Sequence, residues 1–186
     1  MLTDADLDPA LVRGLRAAVT PVAFVPLLPD RCPGCPLAPT RRGFVPGCGP
    51  FDARLVVVGE APGREEIAAD PPTPFIGPSG RIVRRGLGPQ QGADAFITNV
   101  RKCLPPAEET PEVRAASIAH CGAAYLQPEL DRLTAALFVQ AVGADAAEVV
   151  AGVVSIMEAH GSVFTRAEAD AMREAHAAGE EVSGAE

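Results

Sequence analysis

Three short apolar runs constrain this chain more than any other feature: Leu55-Val56-Val57-Val58, Ala95-Phe96-Ile97-Thr98 and Leu137-Phe138-Val139-Gln140-Ala141-Val142. None carries a charge, and Gly59, Asn99 and Gly143 close them. They are continuous rather than alternating, so each reads as a strand buried on both faces, the pattern of a parallel sheet covered by helices. The residues between them predict helices near Pro78–Leu87 and over Pro111–Leu130, the second with Thr110 as N-cap and Pro111 at the first helical position. Short helices are also expected at Asp8–Ala18, Gly143–Val150 and Val153–Ala159. Strands alternating with helices imply an α/β fold, a three-layer αβα arrangement around a short central parallel sheet with right-handed crossovers.

The remaining segments have other compositions. Residues 26–50 are rich in Pro, Gly and Cys, a loop that regular hydrogen bonding cannot hold. Residues 165–186 are rich in Ala and Glu with few large apolar side chains, and read as a helical or disordered tail. The expected organisation is one domain over residues 1–160, with a tail over 161–186. With 186 residues and 47% apolar content, one core of ordinary size is within reach. The longest apolar stretch, Thr134–Met157, is interrupted by Gln140, Asp145 and Glu148, which argues against a membrane span. Asp4, Asp6 and Asp8 stand where a signal peptide would be basic, so a cytoplasmic location is expected.

A net charge of −8 would argue against a nucleic-acid partner if it were spread evenly. It is not. Residues 31–102 carry ten Arg and Lys against six acids, whereas residues 103–186 carry four against fourteen. All the basic residues but Lys102 are Arg, whose fork suits phosphate oxygens, although a GC-rich genome enriches Arg equally well.

Five cysteines punctuate the chain. Cys32-Pro33-Gly34-Cys35 is a C-x2-C pair in a Pro/Gly turn, Cys48 stands alone, and Cys103 and Cys121 bracket the loop and helix after the second strand. In a reducing compartment such a pair points to metal rather than disulfide. Soft thiolates suit zinc or an iron–sulfur cluster, and spacing alone does not separate them. Cys48, Cys103 and Cys121 also fit the role of small buried residues.

Three turns carry the remaining chemistry. Gly59-Glu60-Ala61-Pro62-Gly63 follows the first strand, where α/β proteins bind ligands, and lacks the Gly-Lys-Ser/Thr of a phosphate loop. Pro74-Phe75-Ile76-Gly77-Pro78-Ser79-Gly80 presents one aromatic ring, which core packing would also explain. Thr98-Asn99-Val100-Arg101-Lys102-Cys103 places Asn99 at a strand end, where an amide offers a donor and an acceptor to the edge of a base, or caps a turn.

In this order, with Cys103-Leu104-Pro105-Pro106 and Ala141-Val142-Gly143-Ala144, these pieces resemble the family 4 uracil-DNA glycosylases over about residues 30–150. The resemblance implies hydrolysis of the N-glycosidic bond of uracil in single- or double-stranded DNA, with the base flipped into a pocket. Phe75 would stack on the uracil and Asn99 bond its edge. Gly59, Ala61 and Gly63 would also contact the uracil, the turn at Glu60 and Ala61 would line the glycosidic bond, and Glu60 and Asn99 would be catalytic. A 4Fe-4S cluster would sit on Cys32, Cys35, Cys103 and Cys121, with zinc as the alternative and Cys48 left over.

Three departures accompany the resemblance. The sequence contains no His-Pro-Ser turn, whose His steadies charge on the departing uracil in this family; His120, His160 and His176 stand in other contexts. Loss of such a stabiliser costs about two to three decades in rate. The segment Arg64–Thr73 is slightly long, with Ile67 where the family has Asp. The chain is expected to be one strand short, leaving an open sheet edge for a protein partner. The alternative function is therefore a catalytically inactive iron–sulfur module associated with DNA or a polymerase.

Overall fold

In a computed structural model, residues 32–152 and 166–178 are described. The expected helices at Asp8–Ala18 and Val153–Ala159, and His160, lie outside them. Strands β1 (Leu55–Gly59), β2 (Phe96–Asn99) and β3 (Phe138–Val142) form one parallel sheet in the order β2-β1-β3. They match the three apolar runs to within a residue.

The alternation of side chains along β1 explains why its run is uninterrupted. Val56 and Val58 enter one core with Phe96, Val100, Leu126 and Ala146, while Val57 enters a second core with Phe75, Ala95 and Ile97. Helices cover both faces. The first core is closed by α3 (Pro111–Cys121), α4 (Gln127–Arg132) and α5 (Ala144–Ala151), and the second by α2 (Pro78–Asp94). A short helix, α1 (Arg64–Ala68), lies in the connection after β1, and α6 (Arg166–Ala177) packs against α5. Among the described residues no helix is long and apolar enough to cross a membrane.

Two helices depart from the expected ranges for identifiable reasons. The helix beginning at Pro78 was expected to end at Leu87. It breaks at Gly88, with φ of +72°, before Pro89, and then continues to Asp94. The single helix expected over Pro111–Leu130 instead opens at Gly122–Leu126 into a π-helical segment. Pro128 accounts for this: it offers no N–H, and its ring would collide with the carbonyl four residues back. The widened turn buries Tyr125 completely.

The edge strand β3 is the least covered. Leu137 is 58% exposed and Phe138 60%, and among the described residues no strand pairs with its outer side. The opposite edge of the sheet is closed by Cys48, which exchanges both backbone hydrogen bonds with Ile97 at 2.8 Å.

Candidate active site

Register brings the ends of the strands level. Gly59 pairs with Asn99 on one side and with Val142 on the other, so the turns after all three strands leave the sheet together. The Val100 N–H donates to Gly59 O and the Arg101 N–H to Glu60 O, which locks the first two turns to each other. Ligands of open α/β sheets bind at this carboxyl end.

Gly59 is the meeting point of two predicted site residues. A Cβ there would lie 2.4 Å from Asn99 Oδ1 and 2.6 Å from Phe75 Cζ, so only glycine lets the amide and the ring close over it. Asn99 is 2% exposed, and its Nδ2 has no hydrogen-bond partner among the described residues. A buried amide donor without an acceptor costs about 1–3 kcal/mol, a cost recovered when a ligand supplies one. Phe75 adopts φ of +60°, the one non-glycine residue among those described with positive φ. Gly80 allows this, because a Cβ there would lie 2.3 Å from the Phe75 backbone.

The other expected residues have different surroundings. Glu60 Oε1 accepts from the Asp145 N–H at 3.2 Å, and Gly143, the N-cap of α5, has no side chain of its own to serve there. The carboxylate thus caps α5 from the neighbouring turn, where the helix dipole favours negative charge. Ala61 is half-buried in the same turn. Gly63 is exposed, and its N–H donates to Glu66 Oε2 at 2.8 Å as part of the α1 cap, so that donor is engaged.

Beneath the site runs a charged network that periodicity does not reveal. Arg101 Nη1 donates to both carboxylate oxygens of Glu109 at 3.0 and 2.7 Å, and Nη2 reaches Asp145 Oδ2 at 3.5 Å. Arg114 forks onto Asp145 Oδ1 at 3.1 and 2.7 Å. The only sequence signal is the placement of Arg101 and Asp145 directly after strands, because the partners are up to 44 residues apart.

Cys32, Cys35, Cys103 and Cys121 line one small cavity, together with Tyr125 and Phe44. The Cys35 N–H bonds to Cys32 O at 2.9 Å across the Pro-Gly turn, in which Gly34 takes φ of +90°. Cys32 Sγ lies 3.4 Å from the Tyr125 hydroxyl, and Cys121 Sγ accepts from the Lys102 N–H at 3.4 Å. All five cysteines are free thiols. Burial pushes the Cys103 thiol up to about 12, with the neighbouring Cys121, Cys35 and Cys32 adding to the shift and Arg101 opposing it. Burial likewise raises Cys121, against the Lys102 N–H and ammonium. Among the described residues no three His, Cys, Asp or Glu side chains are disposed to hold a single metal ion. Cys48 lies apart, packed in the core with Val57 and Ile97.

Comparison with known proteins identifies relatives. The family described as the Uracil DNA glycosylase superfamily matches residues 46–179. The chain is similar to the Type-4 uracil-DNA glycosylase of Pyrobaculum aerophilum, 43% identical over 83 residues that cover 43% of this chain and 41% of that protein. The protein of the same name from Archaeoglobus fulgidus is 38% identical over 106 residues, 55% of this chain and 50% of the relative. That of Thermotoga maritima is 40% identical over 83 residues, 44% and 42% of the two chains. The matched portion thus spans half or less of the length of each of these relatives.

Proposed function

The chain belongs to the uracil DNA glycosylase superfamily, and from that premise we propose that it hydrolyses the N-glycosidic bond of uracil in DNA. The observation that carries this reading is the buried Asn99 amide, with Nδ2 unpartnered and Oδ1 turned toward Gly59. Uracil offers an O4 acceptor beside an N3–H donor, which one amide satisfies as a pair. Cytosine offers the reverse, an amino donor beside a bare nitrogen, and leaves both amide groups facing like partners. The Phe75 ring stacks on the flipped base, and Gly59 and Ala61 admit it to the turn.

In the proposed reaction the C1′–N1 bond breaks and its electron pair leaves with the uracil. Water oxygen then bonds to C1′, and the proton it sheds passes to solvent. Positive charge develops on the sugar and negative charge on the base. Glu60, with Oε1 held by the α5 N-terminus, is proposed to place its carboxylate beside the sugar, where fixed negative charge lowers the barrier. Asn99 Nδ2 meets the charge growing on O4.

Cys32, Cys35, Cys103 and Cys121 are proposed to hold a 4Fe-4S cluster. Four thiols lining one small cavity are the soft donor set that such a cluster takes. Bound there, the cluster supplies cross-linking rather than chemistry on the base, tying the loop at 32–48 to the end of β2 and to α3.

The test is incubation of the purified chain with a uracil-containing single-stranded oligonucleotide, scored by alkali-labile abasic sites. Cleavage that falls about a hundredfold or more in Asn99→Ala is expected. No cleavage at high protein concentration overturns the reading. A second reading is an inactive iron–sulfur module associated with DNA or a polymerase; retained oligonucleotide binding without cleavage would select it.

A further inference from the structure

Phe75 is held in a conformation that its own side chain opposes. At φ of +60° a bulky residue is a steric outlier, and such residues persist only where their surroundings impose them. Gly80 removes an obstacle but supplies no attraction. The attraction comes from Arg84, one turn further along α2: Nε donates to Phe75 O at 3.0 Å and Nη2 to Pro74 O at 2.9 Å. Two donors on one edge of a planar fork meet two successive carbonyls, a match a single ammonium cannot make. Arg84 has no ion pair among the described residues, so its charge falls on these carbonyls.

We propose that Arg84 is a positioning residue for base recognition, whose bonds to the Pro74 and Phe75 carbonyls hold Phe75 in the left-handed backbone that lays its ring against Gly59 and the Asn99 amide. This rests on the reading of Phe75 as the stacking surface for uracil. Without the fork, Phe75 relaxes toward negative φ, its Cα–Cβ bond swings away from Gly59, and the pocket loses its wall while the sheet below is untouched. Arg84 acts only through Phe75, so its effect must vanish when the ring is already gone.

The experiment is a double-mutant cycle on cleavage of the same single-stranded uracil oligonucleotide, using holoprotein. Arg84→Met is expected to lower kcat/KM about tenfold in the wild-type background and by less than about twofold in Phe75→Ala. Equal losses in the two backgrounds, or no loss in the first, overturn the proposal. Arg84→Lys, which keeps charge and stem, is expected to fall between and serves should Arg84→Met fail to fold. A second arm does not depend on activity. The protein is labelled with 4-fluorophenylalanine, and the fluorine resonance missing from Phe75→Leu is assigned to Phe75. That resonance should shift or broaden in Arg84→Met or Arg84→Lys; an unchanged one overturns the proposal. If the wild-type chain cleaves nothing, the functional reading fails while the fluorine arm still decides the role of Arg84.

Discussion

Lys102 Nζ lies 2.7 Å from Glu129 Oε2, and both side chains are 1% exposed. The ammonium also donates to Thr98 Oγ1 at 2.5 Å and to the Asn99 carbonyl at 2.7 Å, while Glu129 Oε1 accepts from the Gly47 N–H at 3.1 Å. One buried pair therefore joins the end of β2, helix α4 and the loop that follows the first cysteines. Lys102→Met leaves Glu129 charged and buried without its counter-ion, a change that costs about 3–5 kcal/mol. Denaturant unfolding of the anaerobically purified protein should show that loss. A smaller one is expected in Lys102→Met/Glu129→Leu, where no charge is stranded; equal losses would refute the account.

Gly59→Ala puts a methyl group 2.4 Å from Asn99 Oδ1 and 2.6 Å from Phe75 Cζ. Displacing either group by about 1 Å costs about a hundredfold in rate. Uracil excision should fall by that order while circular dichroism stays native-like. An enzyme of undiminished rate would move the base pocket elsewhere.

Serine at Cys32, Cys35, Cys103 or Cys121 should each reduce the brown colour and visible absorbance expected of the cluster, because each removes one thiolate ligand. Cys48→Ser should keep them, since Cys48 packs in a different core. Iron and sulfide analysis of the five variants measures this. Full colour in Cys103→Ser, or loss confined to Cys48→Ser, would contradict the ligand set.

Thr110 Oγ1 accepts from the Val113 N–H at 3.3 Å and caps α3. Thr110→Ala should cost about 1 kcal/mol. Hydrogen bonds from its own backbone and from Thr110 lower the Glu112 carboxyl below its ordinary range. A depressed folded-state value means that Glu112 stabilises the fold above its unfolded value, and that this is lost as pH falls through the folded one. Stability measured from neutral to acid pH should therefore fall less steeply in Glu112→Gln than in wild type. Identical slopes would show that Glu112 does not contribute.

The parts of this protein legible in the sequence are those governed by local chemistry. Leu55–Val58 has to be a strand with two buried faces, since no charge interrupts it and Gly59 ends it. Thr110 and Pro111 announce a helix start, but the π-helical turn around Tyr125, ahead of Pro128, was not expected. The motif turns supplied Phe75 and Asn99 by type and order. Tertiary structure decided the rest. That Gly59 lies level with Asn99 follows from register between strands forty residues apart, which no local pattern encodes. That Glu60 caps α5 and that Arg84 grips the Phe75 carbonyl depend on which surfaces meet once the sheet is covered. Apolar periodicity and turn propensity act over a few residues along the chain. Buried hydrogen bonds and ion pairs act across space, so their partners are chosen only when the core closes.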